Sequence, residues 1–337
     1  MVRPWSFERR DLRTHDVAVA ITYCGVCYSD VEAVRGVREP TLPLVPGHEL
    51  VGRVSAVGDD VTKFQVGDSV AISNCIDSCA VCDECRAGYQ NHCTDGSPTL
   101  TYNGVDRYDG RRTQGGWSTE YVATEAWVHR LPDALDPAAA APLMCVGTTS
   151  WEASRHWEIG PGMTVGVVGI GGLGHLGVKF AKALGAEVVA FTITPDHVAD
   201  IKALGADDVV VSSHPDALAA QSRRFDFILD TASGAHDLSP YLRALRLHGT
   251  MCLLGITPVV EVETRSLRVG RHSVSGSGTG SPARVREMPD FCAEESIAAD
   301  VEVLPSAQVT TALQRLERGD VRYRLVLDLA DLAAVGS

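Results

Sequence analysis

Near the middle of the chain, Thr164-Val165-Gly166-Val167-Val168 runs straight into Gly169-Ile170-Gly171-Gly172-Leu173-Gly174, and the helix-forming stretch His175 to Leu184 follows. A β-branched run, a glycine turn and a helix in immediate succession open a βαβ unit, with the helix N-terminus facing whatever the turn holds. Gly169 allows the tight turn, Gly171 lets the backbone approach a pyrophosphate, and Gly174 lets helix and strand pack closely. Gly172 and Leu173 complete the dinucleotide-binding loop. Beyond Gly185 the alternation continues, with strands at Glu187–Thr194, Val209–Val211, Asp226–Leu229 and Thr250–Leu254 and a helix at Asp196–Leu204. That order predicts a doubly wound parallel sheet in an α/β chain.

A nicotinamide cofactor with a free ribose 2′-hydroxyl calls for an Asp or Glu at the end of the second strand. Here the strand ends Phe191-Thr192-Ile193-Thr194-Pro195, with no acid before Asp196. Threonine hydroxyls can donate to a 2′-phosphate that an acid would repel, so Thr192 and Thr194 favour NADP(H) over NAD(H).

The first third has a different texture. Val17, Val19 and Ile21 alternate with small or polar residues, and short apolar runs at Leu50–Val54 and Asp68–Ile72 are punctuated by glycine. This pattern suits a compact β-barrel-like domain. Within that third, Cys79, Cys82, Cys85 and Cys93 form a Cys-x2-Cys-x2-Cys-x7-Cys array, the spacing of a closed tetrathiolate zinc site. Four thiolates fill a tetrahedral ion, so this zinc holds a loop rather than reacting. A redox dithiol at Cys82 and Cys85 is the alternative.

The formal charge of −13 argues against a nucleic-acid partner, which needs a basic face. No apolar run approaches the ~20 residues that span a bilayer, and the opening Met1-Val2-Arg3-Pro4-Trp5 has no signal-peptide core. A cytoplasmic enzyme without a membrane partner is expected. Three segments, Cys24-Gly25-Val26-Cys27-Tyr28-Ser29-Asp30, Pro46-Gly47-His48-Glu49 and Pro142-Leu143-Met144-Cys145, could supply a catalytic zinc site with one open position. From spacing alone these are scattered cysteines and a histidine, and buried structural cysteine is the commoner explanation.

The motifs occur in a familiar order. Cys27-Tyr28-Ser29-Asp30, Gly47-His48-Glu49, the four-cysteine array, Gly115-Gly116 and the Gly169 loop together resemble the zinc-dependent medium-chain alcohol dehydrogenases. Trp5-Ser6-Phe7-Glu8-Arg9-Arg10, Ile21 to Cys27, Cys145-Val146-Gly147-Thr148-Thr149 and Asp320 to Val326 are similar to the cinnamyl alcohol dehydrogenase branch. The resemblance implies a GroES-like catalytic domain over 1–145, a Rossmann NADP-binding domain over 146–280, and a return to the catalytic domain over 281–337.

It also implies roles. Cys27, His48 and Cys145 become catalytic zinc ligands and Cys79, Cys82, Cys85 and Cys93 structural ones, giving two zinc ions per subunit. Ser29 relays the substrate proton, Asp30 orients His48, and Glu49 can approach the zinc. Thr149 lies by the nicotinamide, and Tyr28 and Trp117 line the substrate pocket. His197 stands where the NADP-using branch often has lysine, and Tyr28 where many relatives have histidine. The implied activity is interconversion of aromatic or allylic primary alcohols and aldehydes by a homodimer. Reduction of an imine or activated C=C bond on the same fold, and a non-catalytic zinc- and NADPH-binding protein, are the alternatives. Cys24, Cys75, Cys252 and Cys292 read as packing residues.

Overall fold

The structure, a computed structural model, describes residues 2–37, 42–257 and 259–333. The chain divides into two compact units, Met1–Thr148 with Gly280–Ser337, and Thr149–Thr279. Strands of the first unit are β1 Asp16–Val26, β2 Leu50–Val57, β3 Ser69–Ile72, β4 Cys75–Asp77, β5 Thr99–Leu100, β6 Glu120–Thr124 and β7 Val128–Arg130. The second unit holds β8 Thr164–Val168, β9 Glu187–Thr192, β10 Asp208–Val211, β11 Phe225–Asp230, β12 Leu245–Leu253 and β13 Ser273–Gly276. The chain then returns to the first unit with β14 Val301–Pro305 and β15 Arg324–Asp328.

In the first unit β14, β15, β1, β2, β3 and β7 pair in that order, with β6 also on β1. Two register shifts in the β1–β2 pair bend β1, so its first half pairs with β6 and its second half with β15. Val17, Val19, Leu50, Val70, Ile72, Leu325 and Leu327 close one apolar core.

The second unit is a six-stranded, wholly parallel sheet in the order β10-β9-β8-β11-β12-β13. Its central strands β8, β9 and β11 are buried on both faces, so successive residues enter opposite cores. Val188 and Ala190 join Val165, Val167, Phe227 and Leu229 on one face, while Val189 and Phe191 join Ile228 and Met251 on the other. Each fully buried valine or leucine contributes about 1.5–3 kcal/mol. Strand order reverses between β8 and β11, and the glycine turn leaves β8 at that point, where doubly wound sheets bind ligands.

Several elements differ in extent from the pattern in the sequence, and β9 ends at Thr192 rather than Thr194. β12 starts at Leu245 rather than Thr250, because Leu245 pairs with Phe225 before a bulge carries the chain past His248 (φ 66°) to resume at Thr250. The Asp196–Leu204 helix opens as a 3-10 turn, Pro195–His197, before Val198–Ala203 becomes α-helical. Cys24, Cys75, Cys252 and Cys292 are buried as packing residues. No helix among the described residues is long and apolar enough to cross a membrane.

One buried group has a consequence for stability. His129 on β7 is 1% exposed, neither ring nitrogen has a hydrogen-bond partner, and burial beside Arg286 pushes its pKa down to about 3. An unfolded histidine titrates near ~6.5. Below that pH the unfolded chain binds a proton that the folded chain refuses, so stability falls as pH drops toward 3. The expected slope is about 1.4 kcal/mol per pH unit. Urea midpoints at successive pH values should fall less steeply for His129→Leu than for the wild type, and parallel profiles would mean that His129 protonates freely in the folded state.

Candidate active site

Cys27 follows β1 directly and caps the helix Tyr28–Val34 in an extended conformation. The β1–β2 register sets Cys24 opposite Leu50, and the Gly25 amide donates to the Glu49 carbonyl at 3.0 Å, so His48 and Glu49 lie alongside the end of β1. The turn before them requires Gly47. Its φ is +99°, and a Cβ there would meet Trp117 Cδ1 at 2.6 Å and Cys24 Sγ at 2.9 Å. Cys145 arrives from the 3-10 turn Ala141–Met144, which the Ser73 hydroxyl fixes by donating to the Met144 carbonyl at 2.6 Å.

Donor atoms of Cys27, His48, Glu49 and Cys145 all lie within 4.8 Å of one another. The two sulfurs are 4.0 Å apart, and His48 Nε2 is 3.3 Å from Cys145 Sγ. Donors held about 2.0–2.3 Å from a tetrahedral zinc sit roughly 3.3–3.8 Å from each other, so the set fits zinc. Glu49 Oε2 is buried with no hydrogen-bond partner, an orphan that a cation here would satisfy. Room for that carboxylate exists because residue 25 is glycine: a Cβ would stand 1.8 Å from Glu49 Oε2.

Asp30, wholly buried, ties the arms together. Its carboxylate accepts the Cys27 amide at 2.8 Å, the Gly47 amide at 3.1 Å and His48 Nδ1 at 3.2 Å. This places the ring hydrogen on Nδ1 and leaves Nε2 as the donor to a metal. The Cys145 thiol, hydrogen-bonded to Cys27, holds the Cys27 thiolate well below the ordinary thiol range, and the same shared proton together with burial raises Cys145. Burial opposes a charge on His48, but Asp30 and Cys27 outweigh it and raise the imidazole. Burial also lifts Glu49 to about 7, against the pull of Arg324. The Ser29 hydroxyl, half-buried on the first helical turn, is 3.9 Å from Cys27 Sγ.

The second cysteine set is just as compact. Donor atoms of Cys79, Cys82, Cys85 and Cys93 lie within 4.8 Å of one another, with Cys79 and Cys85 sulfurs 3.8 Å apart. Backbone amides of Val81 and Cys82 donate to Cys79 Sγ at 3.4 and 3.2 Å, as they would to a thiolate. Hydrogen bonds from the Thr94 and Cys85 backbones bring Cys82 down to about 6. The four fit a closed tetrahedral site.

In the second unit Gly169 has φ +81°, and a Cβ on Gly174 would stand 2.1 Å from the Gly169 carbonyl, so neither position accepts a side chain. Gly171 has open space where its Cβ would be. Thr231, just past β11, buttresses the turn by donating its hydroxyl to the Gly169 carbonyl.

The family model for an alcohol dehydrogenase GroES-like domain matches residues 13–133, and that for a zinc-binding dehydrogenase matches residues 172–294. Aldehyde reductase YahK of Escherichia coli K12 is 45% identical over 97% of this chain and 94% of its own. NADP-dependent alcohol dehydrogenase C 1 of Mycolicibacterium smegmatis is 42% identical, covering 97% of this chain and 94% of its own. A solved structure described as a cinnamyl alcohol dehydrogenase of Sorghum bicolor superposes with a TM-score of 0.93 at 39% identity, covering 97% of this chain and 94% of that one. The chain belongs to the zinc-dependent medium-chain alcohol dehydrogenases, in the cinnamyl alcohol dehydrogenase branch.

For an alcohol dehydrogenase of this branch, the structure brings Cys27, Ser29, Asp30, His48, Glu49 and Cys145 together within the first, GroES-like unit. The tetrathiolate set also lies in that unit, and the glycine loop in the second, Rossmann unit. Other singled-out residues have local duties. Thr192 is buried, accepts the Thr194 amide at 3.1 Å and donates to the Thr194 carbonyl, so its hydroxyl closes the end of β9. Thr194, His197, Thr149 and Leu173 are half-buried. Trp117 donates Nε1 to the Gly25 carbonyl at 3.4 Å and packs on the barrel core, bracing the Gly47 turn. Tyr28 is 55% exposed.

Three functional neighbours escaped the sequence reading. Arg324, 4% exposed, hydrogen-bonds the Glu49 carboxylate, because β15 pairs with β1 in the register Val26 opposite Leu325. A lone arginine opening the apolar strand Arg-Leu-Val-Leu was the available signal. Tyr102 packs on the His48 ring with centroids 5.7 Å apart, and Arg107 donates to Cys93 Sγ at 3.5 Å; no local pattern marks either.

Proposed function

We propose that the chain is an NADP(H)-preferring, two-zinc alcohol dehydrogenase that interconverts aromatic or allylic primary alcohols and aldehydes. The observation carrying this reading is the convergence of exactly three sulfur and nitrogen donors, Cys27, His48 and Cys145, with an orphaned Glu49 oxygen beside them. That is one sulfur or nitrogen donor short of the closed Cys79 set, which leaves a fourth position that the Glu49 oxygen or a substrate oxygen can take. A zinc ion held there supplies a Lewis acid for the substrate oxygen, and NADP(H) supplies the hydride carrier.

The chain's own residues do the rest. Asp30 keeps the His48 hydrogen on Nδ1 and locks both ligand arms to one carboxylate. Ser29, half-buried and next to Cys27, passes the hydroxyl proton outward in oxidation and inward in reduction. Tyr28 and Trp117 suit an aromatic substrate, and Thr149 suits the nicotinamide. Cys79, Cys82, Cys85 and Cys93 hold the structural zinc. Gly169, Gly171, Gly172, Leu173 and Gly174 take the pyrophosphate. NADP(H) preference is supported by the acid-free end of β9, with Thr192, Thr194 and His197, and by a relative named as NADP-dependent. The aromatic substrate class is supported by the cinnamyl alcohol dehydrogenase likeness. The same reading makes the protein a cytoplasmic homodimer joined through β13, which among the described strands pairs with β12 alone.

Consumption of NADPH and of NADH with cinnamaldehyde, with the product identified by chromatography, tests this. Cinnamyl alcohol formed faster with NADPH is expected. The saturated aldehyde would instead make the enzyme a C=C reductase, and NADPH binding without turnover on a broad aldehyde panel would make it a binding protein.

A further inference from the structure

The N-terminal strap Trp5-Ser6-Phe7-Glu8-Arg9-Arg10 takes no part in the chemistry above, yet Arg9 is one of the most heavily hydrogen-bonded side chains of the first unit. Its Nε donates to the Glu120 carbonyl at 2.8 Å, and Nη1 donates to the Gln114 carbonyl. Nη2 reaches both the Gly115 carbonyl at 2.8 Å and Ser118 Oγ at 2.7 Å. The guanidinium lies over two aromatic rings, 4.8 Å from the Phe7 centroid and 4.6 Å from that of Tyr121. A planar fork whose nitrogens are all engaged and which rests on aromatic rings has little freedom, so it sets the shape of whatever it grips.

What it grips is the segment 114–120, and that segment in turn holds the turn before His48. The Gly115 amide donates to the Val45 carbonyl at 2.6 Å, the Gly116 amide to Gly47 at 2.8 Å and the Trp117 amide to Pro46 at 3.0 Å. Gln114 adds a side-chain bond, its Oε1 accepting the Val45 amide at 2.7 Å. Glycines at 115 and 116 allow this close approach, since a Cβ on Gly115 would stand 2.3 Å from the Pro46 carbonyl oxygen. The layers therefore run from the Arg9 guanidinium through Gln114–Trp117 to Val45–Gly47 and on to His48 and Glu49.

Anchoring the strap does not require Arg9. Arg10 pairs with the buried Asp16 at the start of β1 and lies 3.3 Å from Asp106. Arg9 instead directs its donors to the segment behind the metal-binding turn.

We infer that Arg9 is a positioning residue for the His48–Glu49 arm of the metal centre, acting through the segment 114–120. This rests on the metal-centre reading proposed above. The test uses the full chain with cobalt(II) exchanged for zinc, reading the visible bands of the two-sulfur, one-nitrogen set and of the tetrathiolate set separately while a chelator competes. Arg9→Gln should release cobalt from the Cys27/His48/Cys145 set about tenfold faster and shift its bands, leaving the tetrathiolate cobalt unchanged. Arg9→Lys, which keeps the charge but not the fork, should fall between Arg9→Gln and wild type. Ser118→Ala, which removes one contact and retains the guanidinium, should move the same way by less, and it decides the matter if the Arg9 variants do not fold. Unchanged bands and release rates in the variants that fold, even with lowered thermal stability, would overturn the inference and leave Arg9 a structural clamp. Wild-type protein taking up cobalt at the tetrathiolate set alone would sink the metal-centre reading itself, and the inference with it.

Discussion

Replacing Cys145 by alanine is expected to lower the metal content from two zinc ions per chain to one and to cut aldehyde turnover by on the order of 10³-fold. The figure follows from the several kcal/mol that a Lewis acid contributes to stabilising charge on the substrate oxygen. Without Cys145 the site keeps Cys27, His48 and at most the unbonded Oε2 of Glu49, whose other oxygen is held by Arg324, so it loses one of its two thiolates and holds zinc far more weakly. The tetrathiolate set shares no donor with this cluster and should keep its metal, so the fold around Cys79–Cys93 should survive. Metal analysis after dialysis against a mild chelator, run beside steady-state kinetics, checks both halves. Full activity with one zinc per chain would show that the Cys27 cluster is not where the reaction occurs. Two retained zinc ions with low activity would show that Cys145 acts other than as a ligand.

Glu49→Gln is expected to cost about 3–5 kcal/mol of stability, a fall of roughly 10 °C in melting temperature. The substitution preserves shape and removes one charge, which leaves the Arg324 guanidinium, 4% exposed, without its carboxylate partner. Arginine does not escape by losing its proton, so much of the burial penalty falls on the folded state, offset in part by the neighbouring Cys27 and Cys145 sulfurs. Removing both members should be far less harmful than removing Glu49 alone, because a buried ion pair contributes little net stability over an apolar pair. A double-mutant cycle of Glu49→Gln, Arg324→Met and the combined variant, followed by thermal unfolding, measures this coupling. Additive losses would mean that the two side chains do not depend on each other.

Much of the fold was legible because its signals are local. The run of valines before Gly169, the glycine turn and the helix after it lie within about twenty consecutive residues, so a short stretch of chain carries all the conformational information the unit needs. The same holds for Cys79 to Cys93, whose spacing alone lets four sulfurs reach one point. Extents were less legible than types. Nothing in Arg246-Leu247-His248-Gly249 announces that β12 is already paired at Leu245 before the bulge.

The proposed catalytic metal cluster is the opposite case. Cys27, His48 and Cys145 are far apart in the chain, and by spacing alone they are scattered residues; likeness to a family was needed to group them. What joins them physically is pairing register and backbone turns: Cys24 opposite Leu50, the positive φ of Gly47, and the Ser73 bond that fixes Met144. Arg324 and Arg9 show the limit more sharply. Arg324 reaches Glu49 only because β15 pairs with β1, and Arg9 reaches the His48 turn only through an intervening segment. By itself the sequence determined the doubly wound sheet, its glycine loop and the four-cysteine set, since each is written in consecutive residues. Tertiary structure alone decided which buried charge balances Glu49 and what braces the His48 turn. Those contacts join residues 69 to 275 positions apart, and strand register and segment-to-segment pairing rather than local preference set which of them meet.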